Sequence, residues 1–170
     1  MSFREIKPAE WQENVFEMLD RDWCLLTADG DDRPNTMTVS WGGVGIMWHK
    51  PVAFVVVRPE RYTHELIEKG SAFSLTVFDT EYKKMLGYCG SVSGRNEDKI
   101  AKCGLTIQRQ NGTPYFAEAR LALICRKLTR TPLQKENFLG NDALTDQWYG
   151  AKGGYHDLYI AEIESILVKE

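Results

Sequence analysis

The residues best suited to chemistry fall in four short stretches, of which Val57-Arg58-Pro59-Glu60-Arg61-Tyr62-Thr63 is the most informative. Two arginines and a hydroxyl follow an apolar run, residues 53–57, that reads as a strand buried on both sides. A short helix over residues 64–69 is expected directly after them. Free backbone N–H groups and the positive end of the helix dipole make such a junction favourable for a phosphate. Arg58 and Arg61 can add charge-assisted, bidentate bonds, and Thr63 can cap the helix or donate to a ligand. The same residues would equally form a solvated turn with Thr63 as the cap. The second stretch, Asn35-Thr36-Met37-Thr38-Val39-Ser40-Trp41-Gly42, alternates small polar and apolar side chains. One face of it offers hydroxyls and backbone donors beside which a flat aromatic ring can lie; a strand with one face in water is the alternative.

The third stretch runs Gly90-Ser91-Val92-Ser93-Gly94-Arg95-Asn96-Glu97-Asp98-Lys99. Its glycines permit close approach to an anion that Ser91, Ser93 and Lys99 could bind. Otherwise it is a surface loop in which Ser93 or Asn96 caps the next helix. The fourth, Ala151-Lys152-Gly153-Gly154-Tyr155-His156, sets a histidine just before the last expected strand, where a structural role competes with a functional one. Other chemistries lack their residues. His49, His64 and His156 have no zinc-binding spacing, and there is no G-x-S-x-G elbow, no GxxxxGK[ST] loop and no GxGxxG after the first strand. Cys24, Cys89, Cys103 and Cys125 form no CxxC pair. They read as free thiols, mostly small buried hydrophobes, with a redox role for Cys89 or Cys103 as the minor alternative.

These stretches need a scaffold, and the pattern supplies a strand-rich one. Residues 10–20 carry Trp11, Val15, Met18 and Leu19 at i, i+4, i+7 and i+8, which predicts an amphipathic helix. Residues 23–28 and 36–41 flank Asp29-Gly30-Asp31-Asp32, a hairpin signal, and Asn111-Gly112 joins short strands near residues 106–110 and 115–116. A strand over 71–78, helical pieces over 81–88 and 97–103, and long β segments over 118–131 and 156–169 complete the reading. Many short strands with few helices point to a closed, mainly β barrel with helical decoration. The 170 residues suit one domain, 1–170, with its own core. Apolar residues at 43%, charged residues at 26% and a net charge of −3 fit a soluble globule with no broad attraction for nucleic acid. With no membrane-length apolar run and no signal-peptide core in Met1-Ser2-Phe3-Arg4-Glu5, a cytoplasmic location is expected.

Taken in order, the stretches resemble the flavin reductase-like family with the FMN-binding split β-barrel, above all its flavoredoxin-like branch. The likeness rests on Asn35–Gly43, Lys50-Pro51-Val52-Ala53, Val57–Thr63, Cys89–Arg95 with Asp98-Lys99, and Gly153-Gly154-Tyr155-His156. It covers the chain from about residue 20 onward. The resemblance implies a mainly β split barrel with short flanking α-helices, a homodimer, and FMN near the subunit interface. Carried over, Asn35, Thr36, Met37, Thr38, Val39, Ser40 and Trp41 would line the isoalloxazine ring. Arg58, Arg61, Tyr62 and Thr63 would face the phosphate and ribityl chain, with Ser91, Ser93, Gly94 and Lys99 completing the pocket. His156 matches a histidine near the nicotinamide side in related reductases. Where many relatives have glycine, this chain has Ala161.

The implied activity is hydride transfer from NADH or NADPH to FMN, with electrons passed to free flavin or to a redox protein partner. The rivals are a non-enzymatic FMN electron carrier and a binding protein that has lost flavin. Arg58, Arg61 and Thr63 together speak against the loss.

Overall fold

Turn chemistry and alternation account for most of the sheet. In the computed structural model, which describes residues 2–170 apart from the side chain of Lys152, β2 (Cys24–Ala28) and β3 (Asn35–Val39) form the expected antiparallel hairpin. β7 (Ile107–Gln110) and β8 (Thr113–Phe116) pair across Asn111 and Gly112. Both turn residues have positive φ, 51° and 82°, which the right-handed twist of a tight hairpin requires and which asparagine and glycine tolerate. The other strands are β1 (Phe3–Ile6), β4 (Gly42–Met47), β5 (Lys50–Val57), β6 (Ala72–Val77), β9 (Leu121–Pro132) and β10 (Asp157–Lys169). Helices α1 (Tyr62–Lys69), α2 (Lys83–Ser91), α3 (Lys99–Lys102) and α4 (Asp142–Trp148) flank them.

The main sheet runs in the order β3-β2-β6-β9-β10-β5-β4, with β1 on β10. All its pairings are antiparallel. Strand β10 is the hub. It bonds β9 along its length, while its other edge takes β5 in the first half and β1 in the second. The two end strands, β3 and β4, are not bonded to each other in this order, so the barrel is split rather than closed. Its interior is filled by Leu26, Val55, Phe73, Leu75, Leu123, Cys125 and Tyr159, all fully or nearly fully buried. A second apolar cluster, with Leu25, Phe78, Leu86, Cys89 and Ile100, seats α2 and α3 on the outside of the hairpin end of the sheet.

Two local expectations change. Residues 10–20 do not make one α-helix: a 3₁₀ turn (Pro8–Glu10) and a π-helix (Glu17–Asp22) replace it. Asn14 interrupts the run, because its Oδ1 accepts from the backbone N–H of Phe16 and Glu17 at 3.1 and 3.4 Å. Met18 and Leu19 are still buried, and Trp11 and Val15 still pack on the core, so the apolar spacing reported burial correctly and geometry wrongly. The cap of α3 is Asp98, accepting from Ala101 N at 3.0 Å, and not Ser93 or Asn96. The sequence pattern carried no expectation for β1, β4 and α4. Among the described residues no helix is long and apolar enough to cross a membrane.

Candidate functional site: a two-part cleft along the end strand of the barrel

As the last strand of the sheet order, β3 is hydrogen bonded to a neighbour strand on one edge only. A cleft follows it. At one end lies a cavity of about 270 Å³, at the other a cavity of about 260 Å³, and Met37 and Arg61 line both. The two are therefore one elongated site of the size that holds a small cofactor.

The first cavity is aromatic. Thr38, Val39, Ser40 and Trp41 come from β3 and its exit, Val56 and Arg58 from the end of β5, Trp148 from α4, and His156 from the start of β10. Trp148 meets Trp41 edge-on at 4.6 Å between ring centroids, and His156 lies 5.4 Å from Trp41. The His156 Nδ1 and the Tyr149 hydroxyl are 2.9 Å apart, which fixes the imidazole plane. Burial, with Arg58 adding to it, pushes the His156 imidazole down to about 4, so the ring is neutral at ordinary pH. The Thr38 hydroxyl donates to the Leu86 carbonyl and ties α2 to this wall.

The second cavity is polar and cationic. Asn35, Tyr62, Thr63, Ser91, Ser93, Gly94 and Lys99 line it together with Arg61. The Asn35 Nδ2 donates to Thr63 Oγ1 at 2.9 Å, holding the start of α1 against β3. Thr63 is thus neither a cap nor exposed, although its hydroxyl hydrogen is still available. Gly94 has a packing reason to be glycine, since a Cβ there would overlap the Asn35 carboxamide. Lys99 is 2% exposed, and its Nζ donates to the Cys89 carbonyl at 2.8 Å. Burial lowers its ammonium to about 8, and Arg61 nearby acts in the same direction. Burial also lowers the Arg61 guanidinium from its usual value. Neither cation forms an ion pair among the described residues. Two cations without carboxylate partners at one end of a cleft suit an anion, with Glu60 also on the lining.

The structure separates residues that the sequence grouped together. Arg58 is not beside Arg61 at the cationic end. Its guanidinium donates to the Trp148 carbonyl at 2.7 Å and the Gly154 carbonyl at 3.3 Å, and it lies 5.2 Å from the centre of the Tyr149 ring. Arg58 anchors the segment that carries α4. Thr36 is not in the cleft at all: it is fully buried, and its Oγ1 bonds Thr27 Oγ1 at 2.9 Å and the Leu26 carbonyl at 3.1 Å. Its hydroxyl is tied to the paired strand β2, whereas Thr38 and Ser40, which share its face by alternation, reach the cleft nearer the strand's exit. Ser91 and Ser93 reach the cavity with their hydroxyls engaged locally, at Tyr88 O and Arg95 N. Val56, Glu60, Gly90, Val92 and Trp148 also line the cleft and were missed. Trp148 alone left a signal, the Leu144/Trp148 spacing behind Asn141.

The family model for the flavin reductase like domain matches residues 19–170. The chain belongs to that family. Among curated relatives of this flavin reductase-like chain, a protein of unassigned function from Archaeoglobus fulgidus is 30% identical over 115 residues, 66% of this chain and 64% of its own. A high molecular weight rubredoxin of Moorella thermoacetica is 32% identical over 108 residues, 63% of this chain and 46% of its own. The aligned part thus spans less than two thirds of either relative. Among solved structures, a flavoredoxin from Methanosarcina acetivorans is similar with a TM-score of 0.71 and 22% identity, covering 97% of this chain and 77% of that one. The flavoredoxin of Desulfovibrio vulgaris gives 0.69 and 23%, covering 97% and 78%. An NADH:FAD oxidoreductase of Streptomyces globisporus gives 0.64 and 15%, covering 87% and 75%. These likenesses agree on the split-barrel fold.

Proposed function

We propose that this chain binds FMN along the β3 cleft and works as an NAD(P)H-dependent flavin reductase. The observation that carries the reading is the polarity of the cleft: an aromatic cavity at one end, and at the other Arg61 and Lys99, cations without carboxylate partners. A flat ring joined through a hydroxylated chain to a phosphate matches that sequence of surfaces. Bound FMN would supply the hydride and electron chemistry. The chain's own residues position and shield. Arg61 and Lys99 hold the phosphate, and Asn35 and Thr63 offer hydrogen bonds along the cleft. Backbone N–H groups on the edge of β3 that lacks a partner strand would stabilise negative charge on a reduced ring. Neutral His156, held by Tyr149, donates or accepts a hydrogen bond to place a nicotinamide carboxamide without changing its protonation state. Trp41 and Trp148 exclude water from the ring end.

Subunit pairing belongs to the same proposal. Phe16, Ile46 and Trp48 are 85%, 71% and 55% exposed, and an apolar recess between Phe16 and Val44 shares Ser40 and Trp41 with the cleft. A second copy of the chain covering that surface would complete the ring end.

The test is to titrate purified protein with FMN and then to mix it anaerobically with NADH or NADPH. Flavin absorbance bands on the protein, bleached by either nucleotide, are expected. FMN that leaves its own fluorescence and the melting temperature unchanged overturns the cofactor assignment. Bound FMN that neither nucleotide reduces replaces the reductase with an electron carrier served by a redox protein. A monomer in sedimentation with FMN fully bound removes the dimer.

A further inference from the structure

Two cysteines bracket the loop that forms the cationic end of the cleft. Cys89 lies in the last turn of α2, immediately before Gly90 and Ser91, and Cys103 is the residue after α3, which carries Lys99. Their sulfurs are 3.8 Å apart, in contact across the second apolar cluster, and both are free thiols. Cys89 is fully buried, whereas Cys103 is partly exposed. The backbone carbonyl of Cys89 is also the acceptor for Lys99 Nζ. The same residue therefore supplies one sulfur of the pair and holds the buried cation of the anion site.

We propose that Cys89 and Cys103 are an oxidisable dithiol that closes to a disulfide under hydroperoxide and, in closing, weakens the phosphate end of the cleft. The partly exposed Cys103 reacts first: its thiolate attacks one peroxide oxygen, the O–O bond breaks, and a sulfenic acid forms as one water leaves. The Cys89 sulfur then attacks the sulfenic sulfur; the S–S bond forms, the S–O bond breaks, and a second water carries away the Cys89 proton. Two thiols lose two electrons and two protons, and one hydrogen peroxide becomes two waters. Burial pushes the Cys89 thiol up to about 12, which disfavours direct oxidation there; its resolving role rests on the 3.8 Å contact with the Cys103 sulfur.

Closing the contact to a bond of about 2 Å draws the end of α2 toward α3. That shift changes the geometry between the Cys89 carbonyl and Lys99 Nζ, and it staples the base of the loop from Gly90 to Asp98. The other two cysteines, Cys24 and Cys125, are fully buried elsewhere in the core and serve as internal controls.

The effect on the cleft rests on the FMN reading; the chemistry of the pair does not, so the experiment reads them separately. The full chain, reduced and desalted, is treated with hydrogen peroxide, digested without reductant and mapped by mass. A Cys89–Cys103 cross-link that dithiothreitol reverses is expected, with Cys24 and Cys125 still thiols. FMN affinity of the oxidised protein should fall about tenfold, recover on reduction, and be accompanied by unchanged riboflavin affinity, since riboflavin has no phosphate. Cys103→Ser should show no cross-link and the same FMN affinity with and without peroxide. Oxidation of Cys103 to sulfinic acid without a cross-link, or no reaction at Cys103, overturns the dithiol. A cross-link that leaves FMN affinity unchanged overturns the coupling. If the reduced protein binds no FMN, the flavin reading fails, and the peptide map still decides the dithiol.

Discussion

The two ends of the cleft solve opposite problems. The cationic end is assembled from Asn35 on β3, the start of α1 and the loop leading to α3, and its Arg61 and Lys99 have no carboxylate partners, Lys99 being held by the Cys89 carbonyl. The aromatic end is assembled from distant parts, β3, the end of β5, α4 and the start of β10, and its polar groups are already satisfied: Arg58 by two carbonyls, His156 by Tyr149, Thr38 by Leu86. The first end is prepared to bind, the second to position. Changes at the cationic end should therefore act on affinity, and changes at the aromatic end on rate.

The sharpest test of that division is Arg61→Ala. Losing one charge-assisted contact costs about 1.5–3 kcal/mol, so FMN affinity should fall roughly tenfold to a hundredfold, while riboflavin affinity, measured by the same fluorescence titration, stays put. Equal weakening of both would move the phosphate away from Arg61 and erase the contrast between the ends.

His156→Ala addresses the other half. It should keep FMN affinity and slow anaerobic flavin reduction about tenfold, near 1.4 kcal/mol in the barrier. Because burial holds the imidazole at about 4, the reduction rate should not show a histidine titration between pH 5.5 and 8. Stability should show one. The unfolded chain takes up a proton near pH 6.5 that the folded site refuses until about 4, so the contribution of His156 is complete above 6.5 and is lost as pH falls toward 4. Denaturant midpoints taken across that range should drop with acid, and less steeply in His156→Phe.

A smaller effect is expected from pH alone at the cationic end. Lys99 loses its proton near 8 when the site is free, so FMN affinity should decline severalfold between pH 7 and 9, with riboflavin affinity flat. Lys99→Met should remove the slope. A slope shared by riboflavin would place the titrating group at the ring.

The smallest change in binding is expected at Thr36. Thr36→Val removes a hydroxyl bonded to Thr27 and Leu26, so stability should fall by about 1 kcal/mol with no change in FMN affinity. Altered affinity with intact stability would return Thr36 to the cleft.

What could be read from residue order and what could not divides along physical lines. The β7–β8 hairpin was legible because Asn111 and Gly112 take positive φ locally, and the β2–β3 hairpin because a run of Asp and Gly between two apolar segments favours a turn even without positive φ. Arg61, Thr63 and Lys99 were legible because a strand end, a helix start and a glycine-rich loop each announce themselves. Thr36 was placed with its neighbours because a run of small polar residues does not say which hydroxyl the paired strand will engage, here through Thr27 and Leu26. Arg58 was misplaced because its partners, the carbonyls of Trp148 and Gly154, lie far away in a segment with weak periodicity. The π-helix escaped because the apolar spacing around residues 11–19 is shared by several helical windings, and the Asn14 side chain sets only where the segment starts.

Strand β10 carries one more consequence. Its partners are remote in the chain: Val57 faces Asp157, and Phe3 faces Lys169. Most of the sheet's pairing must therefore wait on large loops closing, and their entropy opposes each step until several ladders form together. Refolding followed by stopped-flow fluorescence should be slow, in the millisecond-to-second range of nonlocal β topologies, although the β2–β3 and β7–β8 hairpins can form within microseconds. Cys125, centrally placed on β9 between β6 and β10, would be reactive toward thiol reagents until both neighbours dock and the barrel core closes over it.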